Sequence, residues 1–480
     1  MNRQRLFVVL MALLLILLSW WGVLTARSGL VVRSLSTDSL PMLYVAPQQK
    51  EMPGVLIAHG FAGSKQLMLG YAHVLAHAGY AVMLWDFGGH GANTTPLKRF
   101  GLQHDLEIAY TTLLQQPGVD PNRLALLGHS MGSGAVMSAA ISNPDFAATI
   151  AISPTGASVN HQLPRNLQLQ AGSWESSFVA NAQRLLKQAG GENQNLAQGK
   201  GRSLIIVPNA EHITILFRDA SHQAARKWLD ATFGMQNNSN YVDLRMVWYG
   251  LHLLGWLLLL GAVAPVLNLP TKAKKSRSFQ IKSWVGLLLA PLVASGILTL
   301  VSSNELDNFG GVLVGGAVGI WFFVAGLTWL LTIFHLPLPS LRSLVLGITL
   351  FIILSVAFGA MAQTVWLQWW LIPVRLKLWL VLSLLCFPWF LASGLAQQQV
   401  GIKSRLLWWL GQSVALVGGF FLTLQLLPQL SFIFLLLPLF PLFMALFSYT
   451  AAILNEVWSY ALGCALFFGW VISAAFPLSG

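Results

Sequence analysis

Charge is what this chain has least of. Asp, Glu, Lys and Arg make up only 9% of its 480 residues, against 55% hydrophobic ones. A chain so poor in charge cannot keep its whole surface in water, so part of it lies in lipid. Beyond Asp243 the only carboxylates are Glu305, Asp307 and Glu456, and the apolar stretches there are nearly free of ionisable groups, with His252 close to one end. Ion-coupled transporters carry such groups within their spans, so that class is disfavoured. Cysteine is nearly absent: Cys386 and Cys464 each sit inside an apolar stretch, and neither a disulfide framework nor a metal-ligand spacing is readable. A nucleic-acid footprint is missing too. The formal charge is +12, but residues 25–243 hold 15 basic against 13 acidic residues, and the remaining cations fall mostly in short loops between apolar stretches.

What is present divides the chain into three domains: an anchor over 1–25, a section of ordinary soluble composition over 26–243, and a polytopic region over 244–480. Leu6 to Leu24 is unbroken, follows Arg3 and Arg5, and is long enough to cross a bilayer at about 1.5 Å per residue. Its exit Leu24-Thr25-Ala26 lacks a small residue three positions before a cut after Ala26, and it is read as an uncleaved anchor rather than a signal peptide. Eight further spans are expected at Met246–Leu267, Trp284–Val301, Gly311–Phe334, Leu344–Met361, Leu378–Leu395, Leu406–Leu427, Phe432–Ala452 and Trp458–Phe476. With a cytoplasmic N-terminus, alternate loops place Lys272, Lys274, Lys275, Arg277, Lys282, Arg342, Lys403 and Arg405 inside and the acidic loop 304–307 outside. The soluble section then faces outward, and Arg375 and Lys377 are the one dissent. Pro265, Pro291, Pro388, Pro438 and Pro441 mark either helices broken at a binding site or prolines tolerated in lipid, the second being commoner.

Within the soluble section, apolar runs alternate with helical periodicity. Strands are expected at Val55–His59, Tyr80–Trp85, Arg123–Leu127, Ala148–Ser153, Asn166–Gln170 and Ser203–Val207, with helices at Leu67–Ala78, Leu102–Gln115, Ser133–Ser142 and Ile213–Ala231. That rhythm specifies an α/β fold with a doubly wound, mostly parallel sheet covered on both faces. Its functional loops lie beyond the carboxyl ends of the strands.

Gly128-His129-Ser130-Met131-Gly132 stands between such a strand and helix and reads as a GxSxG nucleophile elbow. A serine nucleophile needs a base, the base an orienting carboxylate, and the oxyanion two preorganised donors. His212 follows the last strand and is the candidate base; His161 precedes a strand and His222 lies in a helix. Between Ser153 and His212 the carboxylates are Glu175, Glu192 and Glu211. Glu211 adjoins the base too closely to face it, Glu192 sits in a polar loop, and Glu175 follows a strand and is the candidate acid. The backbone N–H groups of Phe61 and Met131 are the candidate oxyanion donors. His59, His90 and His129 show no metal-ligand spacing and are read as turn residues; neither metal nor cofactor is expected.

Residues 25–234 resemble the α/β-hydrolase superfamily, in particular its dienelactone-hydrolase-like and serine-aminopeptidase-like bacterial branches. Three blocks carry the resemblance: Leu56–Ser64, Asp86–Gly91 and Gly128–Gly132. It implies a Ser130, Glu175, His212 triad in that order. Gly88 replaces an arginine and Asn93 a serine common among relatives, and the acid is Glu rather than Asp. Only Pro154–Arg165 connects the strands between which lipid-acting relatives insert a cap domain, so the site is expected to be shallow or covered from elsewhere. The expected function is cleavage of an ester, thioester or amide, with a small-molecule or lipid-like acyl substrate, at a bacterial inner membrane with the hydrolase section outside. The alternative is a non-catalytic membrane scaffold or transport-type protein with a ligand-binding hydrolase-like domain.

Overall fold

The computed structural model describes residues 3–98, 101–264, 277–301, 311–333 and 336–479. Pro265, Lys272, Lys274, Lys275, the acidic loop 304–307 and the expected span ends at Leu267 and Phe334 lie outside them.

Eight strands form one sheet in the order β1-β2-β4-β3-β5-β6-β7-β8. They are β1 Leu30–Thr37, β2 Leu40–Pro47, β3 Met52–Ala58, β4 Ala81–Trp85, β5 Val119–His129, β6 Phe146–Ile152, β7 Leu167–Gly172 and β8 Arg202–Val207. β1 and β2 run antiparallel, as do β2 and β4; every pairing from β4 through β8 is parallel. Every residue of β3 and β4 is buried, as continuous apolar runs require when both faces are covered. Val55 and Ile57 point into one core with Tyr71 and Leu75 of α2 (Leu69–His77) and Ala225 and Leu229 of α6 (Asp219–Phe233). Leu56 and Ala58 point into the other with Leu106 and Leu113 of α3 (Gly101–Leu114) and Val136 and Ala140 of α4 (Met131–Ser142). α5 (Ser176–Gln188) seats Ala182 and Leu185 on Leu167 and Leu169. Each such Val, Leu or Ile side chain stabilises the fold by about 1.5–3 kcal/mol.

The predicted strands and helices omit β1, β2 and α5. The β1–β2 hairpin closes through Asp38 and Ser39, both at positive φ (48° and 64°), the two-residue turn whose twist matches its strands. Its strands alternate polar and apolar too weakly to stand out beside the anchor. The final helix begins at Asp219, after a 3-10 turn over Thr214–Phe217, later than Ile213 as expected.

The backbone divides into two compact units: one is Leu18–Gly250 with Ala362–Gln368, the other Met1–Leu17, Leu251–Met361 and Trp369–Ser479. The hydrolase-like unit thus includes seven residues from the middle of the apolar half.

The described residues of the apolar half are mainly helical: α7 Arg245–Val263, α8 Arg277–Val301, α9 Gly315–Ile333, α10 Leu341–Leu354, α11 Ala360–Val365, α12 Pro373–Gln397, α13 Ile402–Leu426, α14 Phe440–Leu454 and α15 Val457–Ala475. With α1 (Arg3–Thr25), eight helices among the described residues are long and apolar enough to cross a membrane, α10 and α11 counting together, or nine if one bent pair is a single span. The chain is a multi-pass membrane protein. The expected span Phe432–Ala452 falls on the bent pair, a 3-10 helix over Pro428–Leu436 followed by α14 at an angle of 51°. Pro438 falls in the break and Pro441 in the first turn of α14, where a missing N–H and a ring clash interrupt the helical ladder. Pro291 and Pro388, by contrast, lie inside unbroken helices.

Arg375, the topology dissent, is only 1% exposed and donates from Nη1 to the Ser473 and Phe476 carbonyl oxygens at the end of α15. It neutralises unsatisfied carbonyls at a helix C-terminus rather than marking a side of the membrane. Between α10 and α11 the chain makes a π turn over Ser355–Gly359. There the Ala357 carbonyl oxygen accepts from His252 Nε2 at 3.0 Å, so the one histidine of these spans serves a displaced backbone group.

Candidate active site

β5 ends at His129 and α4 begins at Met131, leaving Ser130 alone on the turn with φ 51° and ψ −118°. That backbone conformation is strained for a residue with a side chain and is held by its surroundings. Ser130 N donates to Ile152 O at 2.9 Å. A Cβ on Gly128 would collide with Gly132 O, and one on Gly132 would lie 2.5 Å from His59 O, so the flanking glycines are required by packing.

His212, in the loop after β8, reaches back across the sheet: its Nε2 is 3.1 Å from Ser130 Oγ and its Nδ1 2.9 Å from Glu175 Oε2. A carboxylate only accepts, so Nδ1 carries the proton of the neutral ring and Nε2 accepts from the serine hydroxyl. Glu175 is fixed through its other oxygen, which accepts from Gly172 N at 2.6 Å and Ser153 Oγ at 2.8 Å. Phe178, one turn into α5, stacks on the His212 ring at 4.4 Å between centroids. Ser130, Glu175 and His212 are 9%, 7% and 7% exposed.

The other candidates lie elsewhere. Glu211 accepts from Ile213 N and Thr214 N, and Glu192 accepts from Leu204 N. His222 donates to Leu216 O under α6, and the carbonyl of His161 accepts from Arg202. The chain between β6 and β7 forms no helix or strand, so no cap domain is inserted there.

Met131 N is the first amide of α4 and has no acceptor within its own helix. The turn His59-Gly60-Phe61 runs alongside: a Cβ on Gly60 would lie 3.1 Å from Ser130 Cβ. His59 holds this turn, accepting from Phe87 N at Nε2 (3.0 Å) and donating from Nδ1 to Gly60 O (2.7 Å). Full burial pushes its pKa down. His129 donates from Nε2 to His212 O at 2.9 Å, and burial, then the neighbouring His212, keep it far below the ordinary histidine range. His90 donates from Nδ1 to Gly88 O. All three rings therefore serve the backbone, and among the described residues no cluster of three His, Cys, Asp or Glu side chains could hold a metal.

The sequence reading passed over one pair. Asp86 is fully buried and accepts from Lys65 N (2.8 Å), from the Lys65 ammonium and from Ala92 N (2.9 Å). It ties the oxyanion-side loop to the turn after β4. Asn93 takes part, its side chain donating to Asp86 O at 2.9 Å, and a Cβ on Gly88 would lie 3.0 Å from Pro96 O, so both departures from the family pattern fit their surroundings. Asp86 opens the block Asp86–Gly91, but nothing local pairs it with a lysine 21 residues away.

Residues 49–227 match the family model described as serine aminopeptidase, S33. An uncharacterized protein of Mycobacterium tuberculosis is 34% identical over 95 residues, covering 20% of this chain and 34% of that one. The quorum-quenching protein AidA of Acinetobacter baumannii is 29% identical over 119 residues, covering 23% and 38%. The chain thus spans about a third of the length of the curated relatives it matches. Among solved structures, a putative dienelactone hydrolase from Klebsiella pneumoniae matches at TM-score 0.34 and 15% identity, covering 44% of this chain and 99% of that one. A bacterial membrane phospholipase A matches at TM-score 0.35 and 17% identity, covering 46% and 92%. With this sheet order, the serine on its strand-to-helix turn and the family match over the same residues, the soluble section of the chain has the α/β-hydrolase fold.

Proposed function

We propose that this protein is a membrane-embedded serine hydrolase that cleaves an ester, thioester or amide through an acyl-enzyme on Ser130. The observation that carries the proposal is the continuous relay Ser130 Oγ–His212 Nε2, 3.1 Å, and His212 Nδ1–Glu175 Oε2, 2.9 Å. As Ser130 Oγ attacks the acyl carbon, its proton passes to His212 Nε2, and Glu175 holds the resulting imidazolium. The carbonyl oxygen becomes an oxyanion that the N–H groups of Met131 and Phe61 stabilise. Collapse returns the proton from His212 to the leaving group, and water then repeats the sequence to release the acid.

The domain is proposed to face the outer side of a bacterial cell membrane. Arg342, in the first turn of α10, and Lys403 and Arg405, in the first turn of α13, support this by marking span ends of the opposite side. Among the described residues four spans separate Asp243 from Gln368, the fourth ending at Val365, an even number, in keeping with residues 362–368 belonging to the hydrolase unit. A lipid or acylated substrate suits this setting, and Trp174, 68% exposed beside the candidate acid, offers an apolar contact at the site's rim.

The test is labelling of the detergent-solubilised protein with a fluorophosphonate, followed by mass mapping of the modified peptide. Modification of Ser130 is the expected result. Absence of labelling at Ser130 would assign the domain to ligand binding without turnover.

A further inference from the structure

The segment Ala362–Gln368 leaves the apolar half to join the hydrolase unit, and its contacts fall on the stretch directly after the oxyanion turn. Ser64 stands at the N-cap of the 3-10 helix Lys65–Met68, yet its side chain does not cap that helix; its Oγ accepts from Gln368 N at 3.2 Å. Gln66, only 6% exposed, donates from Nε2 to Gln368 Oε1 at 2.6 Å, and Gln363 donates to the same oxygen at 3.2 Å. The segment is itself held down, because Arg245 donates to Thr364 O at 3.3 Å and Trp366 packs on the core beneath α2 and α6. Residues 64–66 are therefore gripped from two sides, by Asp86 and by Gln368. Phe61, whose N–H is the candidate second oxyanion donor, lies three residues upstream of Ser64.

We infer that Gln368 is a positioning residue for the oxyanion loop: by fixing Ser64 and Gln66 it sets where the Phe61 N–H points, so a segment between two membrane spans completes the hydrolase site. This rests on the proposed serine-hydrolase function. The physical reason is that a donor aids the transition state only at hydrogen-bond distance from the oxygen as charge develops, and a displacement of about 1 Å costs on the order of 10²-fold.

The experiment uses the full-length protein in detergent micelles with p-nitrophenyl acetate. Gln368→Leu is expected to lower kcat about 10- to 30-fold while KM and the unfolding temperature stay near wild type. Gln368→Glu, which keeps an oxygen able to accept from Gln66 and Gln363, is expected to stay within about twofold of wild type. Gln66→Leu should match Gln368→Leu, and the double variant should be no worse than either single one, as for two partners of one interaction; should Gln368→Leu not fold, Gln66→Leu carries the comparison. Wild-type kcat in both leucine variants, with Ser130 still labelled by fluorophosphonate, would overturn the inference. So would parallel losses of kcat and unfolding temperature that Gln368→Glu fails to rescue. No labelling of Ser130 in the wild type would instead overturn the proposed function, and the two failures are thereby told apart.

Discussion

His129 donates its Nε2 proton to the main-chain oxygen of His212 at 2.9 Å. The residue immediately before the candidate nucleophile thus pins the loop that carries the candidate base. His129→Ala should lower kcat about tenfold, the equivalent of about 1.4 kcal/mol, with little change in KM, because the base loses its fixed distance to Ser130 while substrate contacts remain. Steady-state kinetics on p-nitrophenyl esters checks this; an unchanged kcat would show that the β8 loop is held without His129.

Ser130→Ala and His212→Ala should each abolish fluorophosphonate labelling. Glu175→Ala should reduce turnover by roughly 10³-fold or more, as loss of an orienting carboxylate does in other triads. Glu192→Ala is the control, since its carboxylate is taken up by Leu204 N. Near-native turnover in Glu175→Ala would remove Glu175 from the triad.

The Lys65–Asp86 pair is buried on both sides, at 9% and 0% side-chain exposure. Asp86→Ala leaves the ammonium without its counter-charge and should destabilise the domain by about 3–5 kcal/mol, whereas replacing both with apolar residues of similar volume should recover most of that loss. Unfolding temperatures of the two variants in the same detergent decide the matter.

Acid should destabilise the domain before it titrates its carboxylates. Burial lowers the pKa of His59, His129 and His222 and takes His73 to about 3. The unfolded chain binds protons at these sites from pH about 6.5 downward while the folded chain does not. The stability they contribute is therefore complete above pH 6.5 and declines as pH falls toward the folded values. His73→Gln should flatten the loss between pH 6 and 5 by up to about 1.4 kcal/mol per pH unit; an unchanged slope would contradict the assignment.

Topology is open to direct measurement because Cys386 and Cys464 are both buried. A cysteine at the exposed position Gln198 should react with an impermeant thiol reagent in intact cells, and one at the exposed position Gly401 should not. The reverse pattern would place the hydrolase domain in the cytoplasm.

Much of the fold was legible because its signals are local. Val55–Ala58 and Ala81–Trp85 are apolar at every position since helices cover both faces, and Ser130 is flagged by glycines that its turn requires. The hairpin turn Asp38-Ser39 escaped notice because its strands alternate weakly, and the bend before α14 because two prolines acting on one helix look like tolerated membrane prolines.

The sequence alone determined the division into apolar and soluble parts, the mostly parallel sheet, the elbow serine and a short choice of partners for it, because periodicity, glycine placement and loop order act within a few residues. Only the tertiary structure decided that Glu175, rather than Glu192 or Glu211, faces His212 Nδ1. It alone paired Asp86 with Lys65, set Arg375 on the carbonyls of α15 and brought Gln368 to Ser64 and Gln66. Those partners stand between 21 and 304 residues apart. A buried charge or amide must be satisfied wherever the packed chain supplies a partner, and no local pattern records where that is.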